Sequence, residues 1–243
     1  EDGCSWDAEQ THGSLRSYVI EEAYEVVDAI DNDDIDGLIE ELGDLLLQVI
    51  FHSEIGSDEG YFNFIDITTE ICEKLIRRHP HIFEGNSSNS QKELQSWNDI
   101  KAKEKNMDSY TQRLESIPKG LSALMKSYKV QKRAADVGFD WDDISGALEK
   151  LYEELDEVKH ELVGNDKYKL EEEIGDLIFS VVNVCRFVDV NPELALNTTI
   201  NKFIKRFEFI EFEGKKKGKD IKNMTLSEME SLWSQAKESI EKN

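Results

Sequence analysis

Eight carboxylates in this chain fall into two sets of four with one spacing. Glu22 and Glu25 stand a helical turn apart, as do Glu41 and Asp44; Glu154, Glu157, Glu173 and Asp176 repeat the arrangement. Nineteen residues separate Glu22 from Glu41, and nineteen separate Glu154 from Glu173. Carboxylates at i, i+3 share one face of a helix, so two such helices packed antiparallel turn four acids toward one another. Converging negative charges repel unless a divalent cation sits among them. Oxygen ligands without a Cys or His cluster favour Mg2+, with Mn2+ as the alternative. The competing reading is an ordinary solvated acidic face, which is what a single set would suggest. Its recurrence at one spacing favours the metal site.

The elements that must position these acids are legible as helices. In Tyr18 to Ile30, the residues Val19, Ile20, Ala23, Val26, Val27 and Ile30 recur at helical spacing, with Glu22 and Glu25 at the edge of that arc. From Leu38 to Phe51 the chain is apolar nearly all round, apart from a stripe of Glu41, Asp44 and Gln48, so this helix is expected to be buried. Asp66 to Arg78 reads as a further helix closed by Pro80. Gly85 to Gln91 is a polar loop by composition, followed by a helix carrying Leu94, Trp97 and Ile100. Leu121 to Ala135 reads as a basic helix, suited to docking or linking within the protein.

Composition narrows the partners. The 243 residues carry a formal charge of −23, which argues against attraction to nucleic acid or to an anionic membrane. Any anionic substrate must therefore be met by metal and by locally placed Lys or Arg. Three cysteines without C-x-x-C spacing support neither a disulfide framework nor a zinc site, and a reducing cytoplasm is the expected compartment. No apolar run reaches the roughly 18 residues of a membrane span, and no charged-then-apolar leader is seen. The chain begins at Glu1 rather than Met, so some preceding residues are expected to be missing.

The duplication extends beyond the acids. Gly138 to Asp142 echoes Gly3 to Asp7, each with a Trp–Asp pair, and Glu173-Ile-Gly-Asp176 echoes Glu41-Leu-Gly-Asp44. Lys202 to Arg206 matches Lys74 to Arg78, and Trp233 with Lys237 matches Trp97 with Lys101. The expected architecture is all-α, a tandem repeat of helical-bundle units, with no run that demands a strand. We expect an N-terminal unit over 1–106, a linker over 107–117 and a C-terminal unit over 118–243.

Metal-assisted phosphate hydrolysis needs clamped cations, an activated water and positive groups on the remaining oxygens. The carboxylates supply the clamp, and a spare oxygen can take the proton of the attacking water. Lys202 and Arg206 can bind phosphate, or be a surface basic pair. Trp233 can stack on a base or fill the core.

The stretches GCSWDAEQT, EEAYEVVDAI, EELGDLLLQVIF, KLIRRHPHIF, VGFDW, YEELDEV, EEEIGDLIF and NKFIKRF resemble the MazG-type nucleoside triphosphate pyrophosphohydrolases, across essentially the whole chain. That resemblance implies an all-α homodimer, Mg2+ dependence, and hydrolysis of NTPs or dNTPs to monophosphate and pyrophosphate, in nucleotide-pool control or house-cleaning. It places the metal carboxylates at Glu154, Glu157, Glu173 and Asp176, the expected catalytic set, and at Glu22, Glu25, Glu41 and Asp44 in the first copy. Nucleotide contacts fall on Lys150, Lys169, Glu172, Asp176, Lys202, Arg206 and Trp233. Ser5 stands where the family commonly has Pro, which touches the turn rather than the chemistry. At the shared 132-residue offset Lys150 aligns with Tyr18 and Lys169 with Gly37, so the second copy has two extra cations and is expected to be the main catalytic one.

Three rivals remain at this stage. Glu157-x-x-His160 has the form of a di-iron ligand pair, but such sites need the motif on two helices, and Asp28 stands at the equivalent of His160. A helical dimer that binds nucleotide or protein as a regulator would keep acidic sites as structure only. A narrow-specificity relative, dUTPase-like or hydrolysing phosphoribosyl-ATP, is disfavoured by the tandem layout.

Overall fold

The structure is a computed structural model that describes residues 3–83, 107, 109–164 and 166–240. The described residues form α-helices and two 3-10 turns, with no strand among them. The chain divides into two compact units, Glu1–Lys103 and Glu104–Asn243.

The first unit is built on a hairpin of α2 (Tyr18–Asp31) and α3 (Ile35–Asp58), preceded by the short α1 (Ser5–Ala8). The reversal is encoded locally. Asp33 takes a left-handed φ of 53°, a conformation that Asp tolerates better than most side chains, and Asp34 caps α3 by accepting from the Gly37 amide at 3.0 Å. Helix α4 (Phe64–Arg78) begins at a full capping box between Asn63 and Asp66 and packs on α3. Pro80 then opens the short α5 (Pro80–Phe83) rather than merely ending α4. At Gly56 the Phe62 ring lies where a Cβ would be, so this close approach requires glycine.

Helix α3 departs from the expectation that it is buried. Ile39, Leu42 and Leu46 remain exposed, and its buried positions are Gln48, Ser53 and Gly56. The reason is geometric. A helix of 24 residues, packed chiefly on α2 and α4 among the described residues, leaves an apolar face that the described part of its own unit does not cover.

In the second unit, α6 (Tyr110–Glu115) falls within the stretch read as a linker, and it packs on α7 (Ala123–Ala135). The Arg133 guanidinium donates to the Arg113 carbonyl and to Ser116 Oγ, tying the two together. The hairpin of α8 (Ile144–Gly164) and α9 (Lys167–Phe187) repeats α2 and α3, and Asp166 caps α9 as Asp34 caps α3. Helix α7 crosses α9 and α10 (Pro192–Lys216), and α11 (Leu226–Ile240) packs back on α10. Ala147, Val182, Ile210, Leu232 and Ala236 make the core. Arg186 grips Asp140 with both terminal nitrogens, at 2.8 and 2.5 Å, and anchors the loop before α8.

The stretches 85–91 and 101–106 and the helix around Leu94, Trp97 and Ile100 lie outside the described residues, as do the positions of Trp97 and Lys101 in the repeat.

Candidate active site

Each hairpin gathers its acids. In the second unit Glu154 on α8 meets Glu173 and Asp176 on α9, with one carboxylate oxygen from each within 4.8 Å of the others. Helical periodicity on two antiparallel neighbours accounts for this, since Glu173 and Asp176 are one turn apart and face α8. Glu157 sits on the next turn of α8. Its carboxyl is raised above the usual range, first by a hydrogen bond with Glu154, then by desolvation and by the charges of Glu154 and Glu173.

Glu154 is the buried member, 4% exposed. Its Oε1 pairs with Lys150 Nζ at 2.6 Å, and Lys150 also reaches Glu153 Oε1 at 2.8 Å. Those partners raise the Lys150 ammonium, Glu153 foremost and then Glu154. The other oxygen of Glu154, Oε2, is buried without a hydrogen-bond partner. Such an atom is costly unless something else satisfies it. An oxygen-only donor set with a partnerless buried oxygen fits a hard divalent cation.

The first unit holds the same triangle. Oxygens of Glu22, Glu41 and Asp44 also lie within 4.8 Å of one another. The Glu22 carboxyl is raised by desolvation first, then by Asp44 and by Glu25, which also hydrogen-bonds it. Glu41 is raised by desolvation and then by Glu25, Glu40 and Asp44. Gln48, buried beneath them, places Nε2 at a long 3.5 Å from Glu22 Oε1 and leaves its own Oε1 without a partner. Where the second unit has Lys150, the first has Tyr18, set edge-on to Trp6, and Trp6 in turn meets Phe51.

A separate cluster forms on α10 and α11. Arg206 lies over the Trp233 ring, 5.4 Å from its centre, and Phe203 tilts against the same ring at 5.1 Å. Lys202 is exposed one turn before Arg206. Lys169 and Glu172 are exposed on the first turns of α9, beside Glu173. In the first unit Arg78 is buried and Lys74 lies 3.9 Å from Glu70. His160 is exposed and contacts Glu161, away from the acid triangle.

Two contributors escaped the sequence reading. Glu153 as a holder of Lys150 was legible in principle, because Lys-x-x-Glu-Glu places both acids within a turn of the lysine. Phe203 beside Trp233 depends on how α10 and α11 pack, which no local pattern carries.

The sequence matches the MazG nucleotide pyrophosphohydrolase domain over residues 10–83 and again over 144–209, each match enclosing one acidic hairpin. The Escherichia coli K12 nucleoside triphosphate pyrophosphohydrolase is 44% identical over 98% of this chain and 91% of its own length. The Thermotoga maritima nucleoside triphosphate pyrophosphohydrolase/pyrophosphatase MazG is 43% identical over 97% of this chain and 90% of its own. A Bacillus subtilis protein, YabN, uncharacterized, is 48% identical over 97% of this chain but only 48% of its own length. With the acidic hairpin present twice, and with relatives that align along almost all of both chains, the protein belongs to the MazG nucleotide pyrophosphohydrolase family.

Proposed function

We propose that this enzyme hydrolyses nucleoside triphosphates, ribo- or deoxyribo-, to the monophosphate and pyrophosphate, and that the second unit does most of the work. The observation that carries the reading is the buried Glu154 oxygen without a partner, gathered with Glu173 and Asp176 on the hairpin that the family match encloses. Glu154, Glu157, Glu173 and Asp176 would hold Mg2+, or Mn2+ in its place, and Glu22, Glu25, Glu41 and Asp44 would do so in the first unit. When bound, such an ion polarises phosphate oxygens and lowers the pKa of a coordinated water. A carboxylate oxygen of Glu157 left free of the ion is suited to take the proton of the attacking water. Lys150, Lys169, Lys202 and Arg206 neutralise the triphosphate oxygens, which a chain of net charge −23 must do locally. Glu172 borders the site, and Trp233, flanked by Phe203 and Arg206, offers a face for the base.

We assign the exposed apolar faces to a homodimer. On α9, Ile174, Ile178 and Val181 are all more than 40% exposed, and Ile35, Ile39, Leu42 and Leu46 repeat that pattern on α3. Faces of this regularity are far more apolar than a monomer ordinarily shows to water. Among the described residues no helix is long and apolar enough to cross a membrane, and a cytoplasmic role in controlling nucleotide pools fits the acidic chain. The discriminating experiment incubates a panel of NTPs and dNTPs with the protein and Mg2+ and resolves the products. Monophosphate with pyrophosphate is expected. Diphosphate with orthophosphate would place the cleaved bond elsewhere and refute the reading.

A further inference from the structure

Lys150 serves two claims that conflict electrostatically. Its Nζ is 2.6 Å from Glu154 Oε1, inside the acid cluster, while the proposed function needs it on a phosphate oxygen. An ammonium has three donors, and two are committed to Glu153 and Glu154. A divalent cation among Glu154, Glu173 and Asp176 would stand close to this ammonium, and like charges at that range repel through little intervening water. Glu154 is deeply buried, but the Lys150 side chain is 38% exposed, so it is the lysine that can swing away. Its four-carbon stem gives it the reach, and its neighbour Glu153, 58% exposed, can follow or release it.

We infer that Lys150 is an exchanging cation: it neutralises Glu154 until a divalent ion takes the cluster, and nucleotide phosphate then receives the displaced ammonium. Metal and nucleotide thereby assist each other's binding at the second site, because each makes Lys150 available to or removes it from the other. The first unit lacks the device. Tyr18 stands in the lysine's place, against Trp6, while the oxygens of its acid triangle likewise lie within 4.8 Å of one another. This inference rests on the metal reading above, and its Mn2+-only arm does not depend on which bond is cleaved.

The test measures Mn2+ alone binding to the full-length protein by calorimetry, without turnover. The first site is silenced by Glu22→Gln with Asp44→Asn. In that background Lys150→Met should bind Mn2+ roughly tenfold more tightly than Lys150, the scale of one partly screened charge interaction. Lys150→Arg should restore the weaker binding. Lys159→Met removes the same charge from an exposed position on α8, where Asp156 holds it, and should change affinity by less than about twofold. Adding α,β-methylene-ATP, which resists cleavage at that bond, should tighten Mn2+ binding more with Lys150 present than with Met. Unchanged or weaker Mn2+ binding in Lys150→Met would overturn the exchange while leaving the metal site intact, as would equal gains from the analogue. An absence of Mn2+ binding in every variant would refute the metal reading itself and the exchange with it. Pyrophosphate release by the unmodified protein is scored independently, so the two failures are separable.

Discussion

Glu154→Gln separates a carboxylate held for a cation from one held for the fold. The side chain is 4% exposed, with Lys150 on one oxygen and no partner on the other. The amide keeps the shape, and its carbonyl can still accept from Lys150. Two opposing changes follow in folding free energy. The ion pair becomes a neutral-acceptor hydrogen bond, but Lys150 is partly solvated and keeps Glu153, so the loss is under about 1 kcal/mol. Repulsion from Glu157 and Glu173 is relieved, which acts in the other direction. The net change should stay within about 1 kcal/mol. Metal binding has no such compensation, because a ligand charge disappears. The loss of Mn2+ affinity should exceed about a hundredfold, the upper end of what outer-shell partners alone cost. Urea unfolding followed by far-ultraviolet circular dichroism gives the first quantity and Mn2+ calorimetry the second. A stability loss of about 3 kcal/mol or more with unchanged Mn2+ affinity would identify Glu154 as a structural ion-pair member and refute the reasoning.

Three further outcomes are expected. Glu22→Gln should raise the thermal midpoint of the first unit near neutral pH. The wild-type carboxyl is raised in the folded state, so its favourable contribution is complete only below about 4.5 and is lost as pH rises through the folded value; the gain from Gln should therefore vanish in acid, and a pH-independent gain would contradict the repulsion argument. His52 stacks on His12, with their Nδ1 atoms 2.7 Å apart, and desolvation and then the His12 charge lower its pKa. The stability that neutral His52 provides is present above about 6.5 and lost as pH falls through its depressed value, so His52→Phe should flatten the decline between neutral pH and pH ~5 in thermal melts. Gly146→Ala would drive a Cβ into the Trp141 ring and should destabilise the second unit by about 1–3 kcal/mol, whereas a neutral effect in urea unfolding would mean the Trp141 loop yields freely.

How far the sequence carried depended on whether a feature is local. Helical period, the i, i+3 acids and the duplication at one offset are properties of contiguous residues, and they located both hairpins and the acid triangles, though not the capping aspartates Asp34 and Asp166. The burial of α3 was misjudged because an apolar helix reads the same whether its own chain or another covers it. Spacing groups Glu25 and Glu157 with the metal acids, and the oxygens that lie within 4.8 Å of one another are those of Glu22, Glu41 and Asp44, and of Glu154, Glu173 and Asp176. Glu25 and Glu157 stand one turn further along α2 and α8, where they interact with Glu22 and Glu154. Rotamer and depth decide such a distinction, and sequence spacing specifies neither.

The acids also explain why the apolar faces are arranged as they are. Gathering carboxylates on a two-helix hairpin works against folding, as the raised Glu22, Glu41 and Glu157 carboxyls record. Caps at Asp34 and Asp166 each contribute about 1 kcal/mol, too little to offset a cluster of four like charges unaided. The compensating term must come from apolar burial, at about 25 cal/mol per Å2. On α9 the residues able to provide it, Ile174, Ile178 and Val181, lie about a third of a turn round the helix from Glu173, Asp176 and Ser180, and remain largely exposed in the single chain. Helix α3 repeats this with Leu42, Leu46 and Val49 set against Glu41, Asp44 and Gln48. The dimer proposed above would cover those faces without covering the acids. Metal binding and subunit association would then act on faces about a third of a turn apart on the same helices, each relieving a different cost of holding the hairpin together.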